Sequence, residues 1–100
     1  MRFKARVDNN QHEIVNTFRK LGASVLSLAS IGKGIPDLLV AYKGVTWLVE
    51  VKTLKGKETD DQIKFALSWK GKRVIVRSAD EAFKTFQEIV KESYRLTYLL

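Results

Sequence analysis

The sequence contains no cysteine, one histidine and one proline. Without thiols there is no disulfide framework and no cysteine-based zinc site, and one imidazole cannot build a multi-histidine site. Any metal must therefore rest on oxygen ligands. Acidic residues are scarce beside basic ones: 11 Asp plus Glu against 18 Lys plus Arg leave a formal net charge of +7. Such a balance favours an anionic partner, and nucleic acid is the commonest one for a small basic domain. Long apolar runs are missing as well. None approaches the roughly 18 to 20 residues of a membrane span, and the first residues lack the apolar stretch of a signal peptide, so the expected setting is intracellular.

What is present is a globular composition, 45% hydrophobic and 29% charged over 100 residues. This lies outside the low-hydrophobicity class of disordered chains. One domain is expected, because a chain of this size buries roughly two-thirds of the surface that it exposes when unfolded. No internal repeat, linker or low-complexity segment interrupts it.

Residues 9–21 carry Ile14, Val15, Phe18 and Leu21 at helical spacing, with Asn9 or Asn10 placed to cap the helix and Gly22 just past its end. Residues 23–29 read as a strand and residues 30–34 as a glycine-containing loop. Pro36 fits the first position of a second strand, where its missing N–H does least harm. Residues 37–42 and 45–52 are apolar runs separated by Lys43 and Gly44, the pattern of an antiparallel hairpin. Thr59 and Gln62 have capping-box spacing and open a second helix that runs to about Trp69. Residues 73–77 form a buried-type strand, and Ser78 with Glu81 repeats the capping spacing before a third helix whose apolar face holds Ala82, Phe83, Phe86, Ile89 and Val90. Tyr94, Leu96, Tyr98 and Leu100 alternate as in a terminal strand. The expected fold is α/β, in the order α-β-β-β-α-β-α, with a mixed central sheet flanked by helices.

Glu50 and Lys52 interrupt an apolar strand two positions apart, so the period-2 backbone places both on one face with Val51 turned away. If Lys43-Gly44 is a two-residue turn, Tyr42 pairs with Val45, and the same register sets Asp37 opposite Glu50. Cross-strand Cβ atoms are then about 4.5 to 5.5 Å apart. Two carboxylates that close repel unless a cation joins them, and a hard divalent ion such as Mg²⁺ suits an all-oxygen site. A three-residue loop with Gly44 in a bulge would instead turn Asp37 to the other face. The plainer alternative leaves Glu50 and Lys52 as an exposed pair and Asp37 as a turn residue.

Ile35-Pro36-Asp37, twelve residues, then Glu50-Val51-Lys52 resembles the signature of the PD-(D/E)xK nuclease superfamily. That superfamily has a restriction-endonuclease-like core with the same element order. Within it, residues 34–38, the 47–52 strand, Gln62 and residues 71–78 are similar to stand-alone VRR-NUC domains of phages and bacteria. The resemblance implies a Mg²⁺- or Mn²⁺-dependent DNA endonuclease. Asp37 and Glu50 would be metal ligands, the Val51 carbonyl a third, and Lys52 would sit beside the attacking water. It also implies branched, Holliday-junction-like DNA as substrate and a homodimer, for which the alternating tail offers a face. A flap or nicking endonuclease, and an inert DNA-binding module of the same fold, are the alternatives.

Glu13 stands on the first helix where related nucleases supply an extra acidic ligand, although a Glu in a first turn also complements the helix dipole. Gln62 has a counterpart in the VRR-NUC pattern, and the capping box already gives it a structural task. Lys33, Lys55, Lys57 and Lys64 are candidate phosphate contacts, with Lys70, Lys72 and Arg73 as further basic residues around the expected site mouth. His12 reads as a surface residue, and Trp47 and Trp69 as packing residues.

Overall fold

The computed structural model describes residues 10–99, with side chains to residue 95. Helix α1 (Gln11–Lys20) buries Ile14 and Phe18, one turn apart, and carries Glu13 in its first turn and Arg19 and Lys20 in its last. These charges complement the helix dipole. Gly22, at φ +98°, ends the helix, and the Ala23 N–H donates to the Phe18 carbonyl at 3.0 Å. That six-to-one bond across a left-handed glycine is a Schellman closure. Asn9 lies outside the described residues. Asn10 holds the N-cap position but makes no side-chain cap; its Nδ2 donates to carbonyls elsewhere, and its Oδ1 is buried without a partner.

Strands β1 (Ser24–Ser27), β2 (Leu38–Tyr42), β3 (Val45–Val51) and β4 (Arg73–Val76) lie side by side in that order. The first three are antiparallel neighbours, and β4 joins β3 in parallel after a crossover through helix α2 (Asp60–Ser68). The β2–β3 turn contains only Lys43 and Gly44, both left-handed at φ +47° and +85°. Two consecutive positive φ values define the hairpin turn whose twist matches its strands. It fixes Tyr42 opposite Val45 and Leu38 opposite Val49. Each strand is a residue or more shorter than its apolar run in the sequence.

The two sheet faces have different tasks. Leu38, Val40, Trp47, Val49, Val51 and Val76 turn toward α1 and toward helix α3 (Ala79–Leu99). There the Trp47 ring meets Phe18 edge-on at 6.2 Å and Phe86 at 6.1 Å. By the alternation of the pleat, Leu48 and Glu50 face the other way. That second face is partly covered by α2, which has no buried residue of its own.

The terminal residues are helical, not a strand. Helix α3 opens with the Ser78 hydroxyl accepting the Glu81 N–H at 3.1 Å and runs on to Leu99. No glycine or proline follows Ser78 to break it. Tyr94 and Tyr98 are four apart, so their spacing serves a helix as well as an alternating strand. Leu100 lies outside the described residues. No helix among the described residues is long and apolar enough to cross a membrane.

Candidate active site

Asp37 immediately precedes β2. Its carbonyl accepts the Leu28 N–H at 2.7 Å, and its Oδ2 accepts the Val51 N–H at 2.8 Å. The side chain thus reaches across to the end of β3. The observed register, continued one residue before Leu38, places Asp37 beside Glu50.

Glu50 is 2% exposed, and polar side chains surround it. Gln62 Nε2 donates to its Oε2 at 3.1 Å, and Lys52 Nζ stands 3.8 Å from the same oxygen. The other oxygen, Oε1, is buried without a hydrogen-bond partner. The pKa of Glu50 is raised from 4.5 to about 8. Burial is the main cause; the neighbouring Asp37 carboxyl adds to it, while Lys52 and Arg73 pull the other way. This carboxyl is held where its own charge is disfavoured, which fits a place made for a cation. Asp37 and Glu50, with the adjoining Val51 backbone, have the oxygen donors that Mg²⁺ or Mn²⁺ requires.

Gln62 closes the capping box and also reaches Glu50. Its Oε1 accepts the Thr59 N–H at 2.8 Å and its backbone N–H donates to the Thr59 hydroxyl at 3.2 Å, so the capping box is complete. Its Nε2 is left for Glu50. Gly34 makes that approach possible. At φ +81°, a Cβ on this residue would collide with the Asp61 carbonyl oxygen and stand 2.9 Å from the Gln62 nitrogen. The first turn of α2 is seated directly on glycine backbone.

Glu13 is not gathered with the carboxylate pair. It is exposed on α1, where it lines a cavity with Thr53, Leu54 and Lys55 just past Lys52, and no cluster of three or more His, Cys, Asp or Glu exists among the described residues. Lys33, Lys55, Lys57, Lys64 and Lys70 are all exposed, and Lys33 is held left-handed at φ +57° between Gly32 and Gly34. Arg73 does not belong with them. It is 11% exposed and ion-paired with Glu58, so it braces the floor of the site. Lys72 pairs at 3.9 Å with Glu92 on the surface. His12 is exposed and Trp47 is core, while Trp69 stacks on Phe65 at 5.3 Å and stays 44% exposed.

Sequence reading missed Asn10 and Arg77. The Asn10 amide donates to the carbonyls of Lys52 and Arg77 at 3.0 and 2.9 Å, tying together the ends of β3 and β4. Arg77 Nη1 donates to the carbonyls of Thr53 and Gly56 at 2.6 and 2.7 Å. Both act across more than 20 positions of sequence, which no local spacing reveals.

No family model matches the chain, and no curated protein matches it. A solved structure described as a VRR_NUC domain is similar to it, with a TM-score of 0.66 and 30% identity over 77% of this chain and 89% of that one. The chain belongs to the VRR-NUC domain family. It is a nuclease domain, and the α-β-β-β-α-β-α order with its mixed sheet is the restriction-endonuclease-like arrangement.

Proposed function

We propose that this VRR-NUC domain is a Mg²⁺- or Mn²⁺-dependent endonuclease that hydrolyses DNA phosphodiester bonds, acts inside the cell and prefers branched DNA resembling a Holliday junction. The observation that carries this reading is the convergence of Asp37, Glu50, Lys52 and Gln62 on one partly open sheet face. Asp37, Glu50 and the Val51 carbonyl would hold the metal. Bound there, it would supply positive charge that stabilises the phosphate as negative charge develops on it. Lys52 is positioned to orient the attacking water or to donate to a phosphate oxygen. Gln62 fixes the rotamer of Glu50 and so the direction in which Oε1 points. Lys33, Lys55, Lys57 and Lys64 would hold the DNA backbone without reading base sequence.

Branched DNA is proposed with a homodimer as its counterpart, because two-fold assembly offers two sites to two related strands. The exposed apolar side chains of Ile63 and Leu67 on α2, of Trp69 just past it and of Phe83 and Tyr94 on α3 support an assembled state. Light scattering of the full chain beside a truncation after Glu92 tests it: a monomeric mass at micromolar concentration for the full chain would rule it out.

The decisive experiment incubates the protein with labelled junction, flap, splayed-arm and plain duplex DNA in Mg²⁺, Mn²⁺ or chelator. Metal-dependent cuts in the junction are expected. Equal cutting of flap and junction would favour a flap or nicking enzyme, and binding without cutting in either metal would favour an inert DNA-binding module.

A further inference from the structure

Beyond Lys52 the chain forms a short loop whose backbone is held unusually firmly. Arg77 Nη1 donates to the carbonyls of Thr53, Leu54 and Gly56 at 2.6, 3.4 and 2.7 Å. Arg77 is itself fixed, its N–H on Glu81 Oε1 at 2.8 Å and its carbonyl on the Asn10 amide. That amide also holds the Lys52 carbonyl. The loop backbone is therefore tied through Arg77 and Asn10 to the backbone of Lys52. Yet it presents Leu54 to solvent, 79% exposed. A single exposed leucine is ordinary. A leucine on gripped backbone, two residues past the active-site lysine and on the rim of a cavity, has the form of a preorganised contact.

The cavity has a volume of about 590 Å³ and is lined by Asn10, Glu13, Leu54, Lys55, Arg77 and Ser78 among others. Leu54 and the aliphatic stems of Lys55 and Arg77 provide apolar wall, suited to the flat face of a ring. Glu13 provides an acceptor-only edge, which matches an exocyclic amino group. The Lys55 ammonium adds a partner for a phosphate. A flat apolar face, a polar edge and a phosphate together describe a nucleotide. Two residues of extended chain span about 7 Å, so ligands at Lys52 and Leu54 are near neighbours.

We propose that this cavity receives the base of an unpaired nucleotide beside the cleaved phosphate, with Leu54 covering the base. A paired base has both faces stacked and its edge engaged, so only a splayed or single-stranded nucleotide can enter. The inference rests on the DNA-nuclease reading above, and it gives branch preference a physical source: a junction or fork exposes such a nucleotide and plain duplex does not.

The test measures KM and kcat for wild type, Leu54→Ala and Leu54→Met on a branched DNA whose cut has been mapped. The intact DNA is compared with versions carrying one abasic residue at each flanking position. For wild type, base removal at one flanking position is expected to raise KM about tenfold, the scale of uncovering part of a leucine side chain. Leu54→Ala should show that rise on intact DNA and no further rise on the abasic version, while Leu54→Met stays within about twofold of wild type. Leu54 is exposed, so the fold is expected to survive these changes. Wild-type KM indifferent to every abasic position, or a Leu54→Ala effect that simply adds to base removal, overturns the pocket and leaves the nuclease reading standing. Failure of wild type to cut any DNA with metal overturns both.

Discussion

Gln62 is bonded to Glu50 through one end of its amide, Nε2 to Oε2 at 3.1 Å, while the other end closes the cap of α2 on Thr59. One side chain thus couples the start of a helix to the orientation of a buried carboxylate. Gln62→Glu separates the two tasks, because Glu also satisfies a capping box but brings a carboxylate against Glu50. The variant should keep its helix content by circular dichroism and lose stability by no more than about 1 kcal/mol. Its cleavage rate should fall at least tenfold, by roughly the 1.4 kcal/mol that such a factor represents. An unchanged rate would remove Gln62 from the site.

Asp37 gives a second prediction. Its Oδ2 accepts the Val51 N–H, so Asp37→Ala strands a partly buried donor and should destabilise the fold by about 1 to 3 kcal/mol. Asp37→Asn keeps an acceptor and is the cleaner probe. It should abolish metal-dependent cleavage while binding DNA in chelator at least as tightly as wild type, since one negative charge has left the place where phosphate lands. Binding of both proteins should weaken at least roughly tenfold between about 50 and 200 mM salt as counterions cease to be released. Filter binding at several salt concentrations checks both points, and salt-insensitive affinity would argue against a nucleic-acid ligand.

Gly34 supports the site from behind. Its φ is left-handed, and the Asp61 carbonyl oxygen lies where a Cβ would have to go, so any side chain pushes on the first turn of α2. Gly34→Ala should lower stability by about 2 kcal/mol or more, adding a clash to left-handed strain. Cleavage should fall further than stability explains, because Gln62 rides on that turn. Thermal melts beside single-turnover rates below the melting transition make the comparison, and proportional losses would reduce Gly34 to a purely structural role.

The carboxylate pair was legible because its geometry is local. A two-residue turn at Lys43-Gly44 sets the hairpin register, and the register together with the period-2 pleat brings Asp37 to Glu50 and Lys52. The capping task of Gln62 was legible for a similar reason, since capping-box spacing announces where α2 begins. The position of Glu13 relative to the pair is not legible by the same means, because nothing in its own helix says which sheet face α1 will cover; Phe18 meeting Trp47 decides that. Arg73 reads as one basic residue among many until Glu58 is brought against it. Asn10 has the identity of a cap, but two carbonyls distant in sequence claim its amide. The terminal helix failed as an expectation because four alternating apolar residues carry too little pattern to separate period 2 from period 3.6.

The raised pKa of Glu50 makes the stability of the metal-free protein depend on pH in an unusual direction. The unfolded chain releases this proton near 4.5, whereas the folded chain keeps it to about 8. Between those values the folded state binds more protons than the unfolded one, so its stability must fall as pH rises. Below pH 4.5 both states are protonated and the effect vanishes; above about 8 both are ionised and the loss is complete. Glu50→Gln removes the titration and keeps the shape, so in chelator wild type should lose stability relative to this variant as pH is raised from about 5 to about 8. A divalent cation competes with the proton for the same oxygens, so Mg²⁺ should restore wild-type stability mainly at the upper end of that window. Thermal melts of both proteins at half-unit pH intervals, with chelator or Mg²⁺, give the answer. Parallel curves for wild type and Glu50→Gln in chelator would mean that Glu50 is ionised throughout, and the carboxylate pair would then lack the charge frustration that a cation is proposed to relieve.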